Sequence, residues 1–195
     1  MSEAQCTEAH SAQCRFCAAD LENVLIDLGM SPLCESFVSL DKLNHMERFY
    51  PLMVWICNQC WLAQLEEYVA PSEIFDDYAY FSSYSDSWVE HASKYAERIQ
   101  KRLELSSDSL VIEVASNDVY LLQHFVKKNI PVLGIEPAGN VAQVALDKGI
   151  RTEVCFHGLE SAARISKEYG LADLIVGNNV LAHVPDLHDF VGGFL

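Results

Sequence analysis

Two C-x-x-C pairs carry the first recognisable chemistry in this sequence: Cys14 with Cys17, and Cys57 with Cys60. A C-x-x-C turn places two thiolates on one side of a tight bend. Two such turns complete the tetrahedral sulfur shell that zinc takes in structural sites. Four protein ligands leave no open position, so the expected metal is structural zinc. Cys6, Cys34 and Cys155 stand outside the paired spacing. Cys34 is an alternative ligand, and unrelated thiols are the alternative to a metal site.

Carboxylates and amides gather at predicted strand ends. The stretch "VIEVASNDVYLL" reads as a strand, a polar turn and the start of a helix. It supplies Glu113, Ala115, Asn117 and Asp118. Glu136, followed by Pro137, ends the next predicted strand. An acid there can accept hydrogen bonds from both ribose hydroxyls of a bound nucleoside. The turn lacks the G-x-G-x-x-G glycines that let a pyrophosphate approach the backbone. It therefore suits a nucleoside ligand without phosphate, such as S-adenosylmethionine. A plain strand-to-helix turn capped by Asn117 or Asp118 is the competing reading.

Further along, "NNVLAHVP" sets Asn178 and Asn179 after a buried strand, at the sheet end where ligands bind. His183 follows in the loop, and a histidine there can move a proton at neutral pH. The stretch "YAYFSSYSDS" offers Tyr78, Tyr80 and Ser83 among dense aromatics. It reads either as a lid over a sugar-like ligand or as packing against the sheet.

These residues need a scaffold, and the pattern predicts one. Residues 1–70 read as a small irregular β-rich zinc-binding domain, with Pro32 and Pro51 as breakers. Residues 71–108 read as an aromatic loop and a connecting amphipathic helix, capped by Asp86 or Ser87. From 109 to 195 strands alternate with helices, closed by Gly149 and Gly170. That predicts an α/β fold with a parallel sheet covered on both faces. The strands are fewer than a doubly wound cofactor domain normally has, so the domain is expected to be incomplete.

The chain has 195 residues, of which 50% are hydrophobic and 21% charged, with a formal net charge of −15. This is globular composition. The acidic balance argues against nucleic acid, which needs clustered Lys and Arg. No apolar run reaches the roughly 18 residues of a membrane span, and the polar N-terminus does not read as a signal peptide. The expected location is cytoplasmic, with no membrane partner.

Taken in order, "CRFC", "PLMVWICNQCWLAQL", "DYAYFSSYS", "EVASNDVYLL", "GIEPAGNVA" and "ADLIVGNNVLAHVPD" resemble the sugar C-methyltransferases of deoxysugar biosynthesis. The resemblance implies a zinc-binding domain joined to a partial doubly wound, Rossmann-like class I methyltransferase domain. It implies S-adenosylmethionine as methyl donor and a nucleotide-linked 4-keto-6-deoxysugar methylated at carbon 3 as substrate. By resemblance, Glu136 holds the ribose, and Glu113, Asn117 and Asp118 border the methionine part. Asn178 lies near the cofactor, Tyr78, Tyr80 and Ser83 face cofactor or sugar, and His183 matches an active-site histidine. Val119 and Trp61 stand where the family has glycine, and Val119 is expected to crowd the cofactor tail. The family continues past residue 195 into a segment holding the principal base, so this chain is expected to be a fragment. Two other functions fit the residues: a class I methyltransferase for another oxygen or nitrogen acceptor, and a non-catalytic zinc-binding interaction module.

Overall fold

A computed structural model describes residues 12–75 and 78–195. Cys6 lies outside the described residues. The chain divides into two compact units, Met1–Tyr68 and Val69–Leu195.

The first unit holds a three-stranded antiparallel sheet in the order β1 (Asn23–Ser31), β2 (Tyr50–Ile56), β3 (Ala63–Leu65). The β1–β2 register slips between Val24 and Ile26 and again between Asp27 and Met30. Gly29 sits in the second irregularity at φ 81°, and its N–H is held by the Asp27 carboxylate at 2.8 Å. The sheet is thinly covered; the buried centre of this unit is Cys14, Leu21 and Cys57, with Trp55 and Leu62 against them.

The second unit opens with the short helix α1 (Pro71–Phe75) and holds a four-stranded parallel sheet in the order β6 (Thr152–Glu153), β5 (Val132–Ile135), β4 (Val111–Val114), β7 (Leu174–Gly177). All four residues of β4 are buried, as expected of a central parallel strand. Its side chains alternate between two cores. Val111 packs with α2 (Asp86–Leu103) and α3 (Leu122–Val126), while Ile112 and Val114 pack with α5 (Leu159–Tyr169) and α6 (Leu187–Gly192). Helices thus cover both faces, and α4 (Gly139–Asp147) carries the chain from β5 to β6. The fold is a partial Rossmann-like α/β unit, as the strand–helix alternation predicted.

Local signals explain the helix limits. The N-cap of α2 is Ser85, whose hydroxyl accepts from the Trp88 N–H; Asp86 and Ser87, the expected caps, are its first residues. The helix expected directly after the β4 turn becomes regular only at Leu122, because Asn117 and Val119 sit at φ 50° and 64°. Gly149 at φ 76° and Gly170 at φ 91° end α4 and α5, left-handed positions that glycine adopts without strain. Among the described residues no helix is long and apolar enough to cross a membrane.

Candidate functional site

The zinc site is built from two matching turns. In the first, Cys14 N donates to Ala19 O at 2.8 Å and Ala18 N to Cys14 O at 2.8 Å. In the second, Cys57 N donates to Leu62 O at 3.0 Å and Trp61 N to Cys57 O at 3.1 Å. Each turn ends in a left-handed residue, Ala18 at φ 58° and Trp61 at φ 64°. That is why glycine is favoured after the second cysteine of such a turn, and it locates the cost of Trp61 in its backbone.

The four sulfurs of Cys14, Cys17, Cys57 and Cys60 lie within 4.8 Å of one another. Cys14 and Cys60 are 3.6 Å apart, and Cys17 and Cys57 are 3.5 Å apart. Tetrahedral zinc with bonds near 2.3 Å needs edges of about 3.8 Å, so the cluster fits the ion closely. Outer groups favour thiolates. The Gln64 amide donates to Cys14 Sγ at 3.2 Å, the Gln59 N–H to Cys57 Sγ at 3.3 Å, and Gln64 is itself held by the Arg15 N–H. Burial opposes ionisation of Cys14, but the Cys17 N–H, Gln64, the Phe16 N–H and Cys60 bring its pKa down to about 6. The Leu62 N–H favours a Cys60 thiolate, but burial and the three neighbouring sulfurs push its pKa up to about 12. Four sulfurs at these mutual distances form a site that fits one metal ion. Cys34 is exposed and stands apart from the cluster.

The second site is a cavity of about 490 Å³ in the second unit, at the carboxyl ends of the parallel strands. Its wall takes Ala115 and Asn117 from the turn after β4, Glu136 and Pro137 from the end of β5, and Asn178 and Asn179 from the end of β7. His183 enters from the short turn Leu181–His183. Tyr78 and Tyr80 close the cavity from the segment before α2. Among the described residues that line it there is no Lys or Arg.

Glu136 is the buried charge of this wall. Its two oxygens accept the N–H groups of Asn117 and Ala138, each at 2.9 Å. Burial raises its pKa, and those two N–H groups pull the other way. Each carboxylate oxygen keeps a second lone pair for a ligand. His183 meets the edge of Phe75 at 6.4 Å, and Phe75 meets Tyr78 at 5.5 Å.

Three of the sequence-identified residues stand behind the wall. Glu113 is fully buried in β4. The Tyr120 hydroxyl and the Asn178 amide are the polar groups that face it, though neither oxygen makes a close hydrogen bond. Burial holds its pKa well above the usual carboxylate range, against those two groups, and nearby Glu136 and Asp118 add to the rise. Asp118 accepts the Ser83 N–H at 3.1 Å and the Ser83 hydroxyl, and Lys148 lies 3.6 Å from it. Asp118 and Ser83 thus hold each other. Val119 is fully buried in the core beside α3 and does not reach the cavity, so the expected crowding of the cleft is not there.

Sequence reasoning missed Tyr120, Trp88 and His157, which also line the cavity. Tyr120 accepts the Asn178 amide at 3.1 Å and packs on Trp88 at 5.8 Å. Trp88 and Tyr120 each sat in an apolar helical pattern that gave a sufficient core explanation.

Residues 14–75 match a family of domains described as "Putative zinc binding domain". The chain is 32% identical over 181 residues to C-methyltransferase NovU of Streptomyces niveus, a match covering 93% of this chain and 43% of that protein. The chain therefore spans less than half the length of this curated relative. Among solved structures, that of Streptomyces venezuelae DesVI is similar over 49% of this chain and 31% of that one, with 19% identity and a TM-score of 0.27, a likeness too slight to argue from. Residues 14–75 thus match that family of zinc-binding domains, in a chain similar along nearly its whole length to a C-methyltransferase.

Proposed function

We propose that the cavity of the second unit holds S-adenosylmethionine and that the protein is a C-methyltransferase. Its acceptor is carbon 3 of a nucleotide-linked 4-keto-6-deoxysugar. The observation that carries the reading is Glu136: a buried carboxylate at the end of β5, in a cavity whose described lining has no Lys or Arg. Such a wall suits a nucleoside that is cationic and carries no phosphate. A volume of about 490 Å³ falls in the range of small-molecule sites. Similarity to C-methyltransferase NovU supports carbon as the acceptor atom. The sugar rests on the ordered motifs described above.

When bound, the cofactor supplies an electrophilic methyl group on a sulfonium. Binding and positioning belong to this chain. Glu136 accepts the ribose hydroxyls with the lone pairs its backbone partners leave free. Ala115, Asn117, Asn178 and Asn179 border the methionine part, and Pro137 packs beside the nucleoside. The acceptor ketone acidifies its neighbouring C–H; a base takes that proton, and the carbon of the resulting enolate would accept the methyl group as the S–CH3 bond breaks and S-adenosylhomocysteine leaves. His183 donates to the enolate oxygen or carries a proton, each typically worth 10²–10⁴ in rate. Tyr78 and Tyr80 shield the reaction from water, and Ser83 holds the segment that bears them. Zinc at Cys14, Cys17, Cys57 and Cys60 stays structural.

Calorimetry with S-adenosylmethionine tests the carrying residue. Glu136→Gln keeps the shape but weakens charge-assisted bonds, and should cost about 1–3 kcal/mol of affinity. Equal affinity in the two proteins would remove Glu136 from the site. Methyl transfer to a nucleotide-linked 4-keto-6-deoxysugar, with deuterium exchange at carbon 3 followed in parallel, tests the acceptor. Methylation with the carbon 3 hydrogen retained in the product would point to an oxygen or nitrogen acceptor instead.

A further inference from the structure

The segment Tyr78–Ser82 faces the cavity with alternate residues. Tyr78, Tyr80 and Ser82 line it, and Ala79 and Phe81 do not. Phe81 has extended backbone, φ −112° and ψ 111°. This is the side-chain period of a β-strand, yet among the described residues Tyr78–Phe81 pairs with no strand, and Ser82 opens the short 3-10 turn Ser82–Tyr84. Side-chain amides take the place of a neighbouring strand. Asn140, in the first turn of α4, accepts the Tyr78 N–H at 3.2 Å and donates to the Tyr78 carbonyl at 2.8 Å. Asn117 accepts the Ser82 N–H at 2.8 Å and donates to the Tyr80 carbonyl at 3.0 Å.

Each amide reproduces the donor–acceptor pair that a strand residue would offer. Two such pairs fix not only where the segment lies but which residues point inward. A slip by one residue would exchange the tyrosines for Ala79 and Phe81. Asn117 sits at φ 50°, a left-handed conformation that asparagine tolerates well. Its own N–H is held by Glu136. The register of the segment is thereby keyed to the same carboxylate that lines the cavity.

We infer that Asn140 and Asn117 are positioning residues: they set the register of the strap Tyr78–Ser82 so that Tyr78 and Tyr80 wall the occupied cavity. The inference rests on the cofactor reading for what occupies the cavity, but the register itself does not. Neither asparagine needs to touch the ligand for this role. Asp118 reinforces the end of the strap through Ser83.

The test uses the zinc-loaded chain with Asn140→Ala and Asn140→Asp. The aspartate still accepts the Tyr78 N–H but cannot donate to its carbonyl. The first readout is chymotrypsin cleavage after Tyr78 or Tyr80, identified by mass spectrometry. The second is the association and dissociation rate of S-adenosylhomocysteine. Cleavage should rise at least about tenfold in the alanine variant and less in the aspartate variant, as expected when a held segment is released locally. Dissociation should quicken about tenfold with association unchanged, the pattern of a lost wall rather than a lost binding group. Unchanged cleavage in both variants would overturn the positioning role. Faster cleavage with unaltered ligand rates would show that the strap does not wall the occupied cavity. A fall in melting temperature matched by loss of binding sites would make Asn140 merely structural. If the alanine variant does not fold, the aspartate variant decides alone. If the wild-type chain binds no S-adenosylhomocysteine but the cleavage pattern holds, the cofactor reading falls and the register assignment stands.

Discussion

Val119 is held between two opposed effects. Its φ of 64° is a left-handed conformation that costs an L-residue about 1–2 kcal/mol, and β-branching makes it stiffer. Its side chain is fully buried among Tyr120, Leu122 and the Ala92–Ala96 face of α2. Val119→Gly relieves the backbone but deletes the buried group and loosens the unfolded chain. The net expectation is a loss of about 2 kcal/mol in stability, measured by urea denaturation, with cofactor affinity unchanged because the side chain does not reach the cavity. A more stable variant would mean that strain outweighs packing there. The sequence marked this position as unusual. It could not tell which way the side chain points, because that depends on where α2 packs. Trp61 was marked in the same way, as a departure from glycine, and its φ of 64° shows that the C-x-x-C turn itself requires a left-handed residue there.

At the scale of elements, β4 carries an anomaly. Its central parallel strand buries Glu113 on the face shared with Val111, with no close hydrogen bond to either oxygen. Burial raises the folded pKa above the unfolded one. Below the ordinary carboxylate range both states are protonated. As pH rises through that range the unfolded chain releases the proton first, so stability falls until the folded pKa is passed. Glu136 adds a slope of the same sign. Glu113→Gln should therefore gain stability relative to wild type as pH rises from about 5 to about 8, read as the difference between urea midpoints. A constant difference would mean that Glu113 is ionised throughout in the folded state. The strands and helices of this unit were legible in the sequence because their apolar periods are regular and glycines end two of the helices. The strap was legible only as an aromatic cluster. Its partners Asn117 and Asn140 stand far away in sequence, and nothing local distinguishes an asparagine that clamps a distant backbone from one that caps a helix. The Ser85 cap was misplaced for a simpler reason: Ser85, Asp86 and Ser87 are all competent caps in a row.

The whole molecule joins two units with different sources of stability. The second has two apolar cores on either side of a sheet, whereas the first is centred on its cysteines. Metal binding and folding should therefore be one event in the first unit. Chelation of zinc should remove hydrogen-exchange protection at the Cys57 and Trp61 amides, while amides of β4 and β5 keep theirs. Loss of protection in β4 at the same rate would mean a single cooperative unit. The three tryptophans divide along the same line. Trp55 and Trp61 belong to the first unit, Trp61 adjoining a cysteine of the metal cluster. Trp88 belongs to the second, where it lies against the ring of His91 at 5.3 Å and lines the cavity. Each unit thus has its own optical probe. With Trp88→Phe, the emission that remains should respond to chelator and ignore S-adenosylhomocysteine; with Trp55 and Trp61 both changed to phenylalanine, it should do the reverse. One cuvette can then follow the metal and the ligand as separate signals from the same solution.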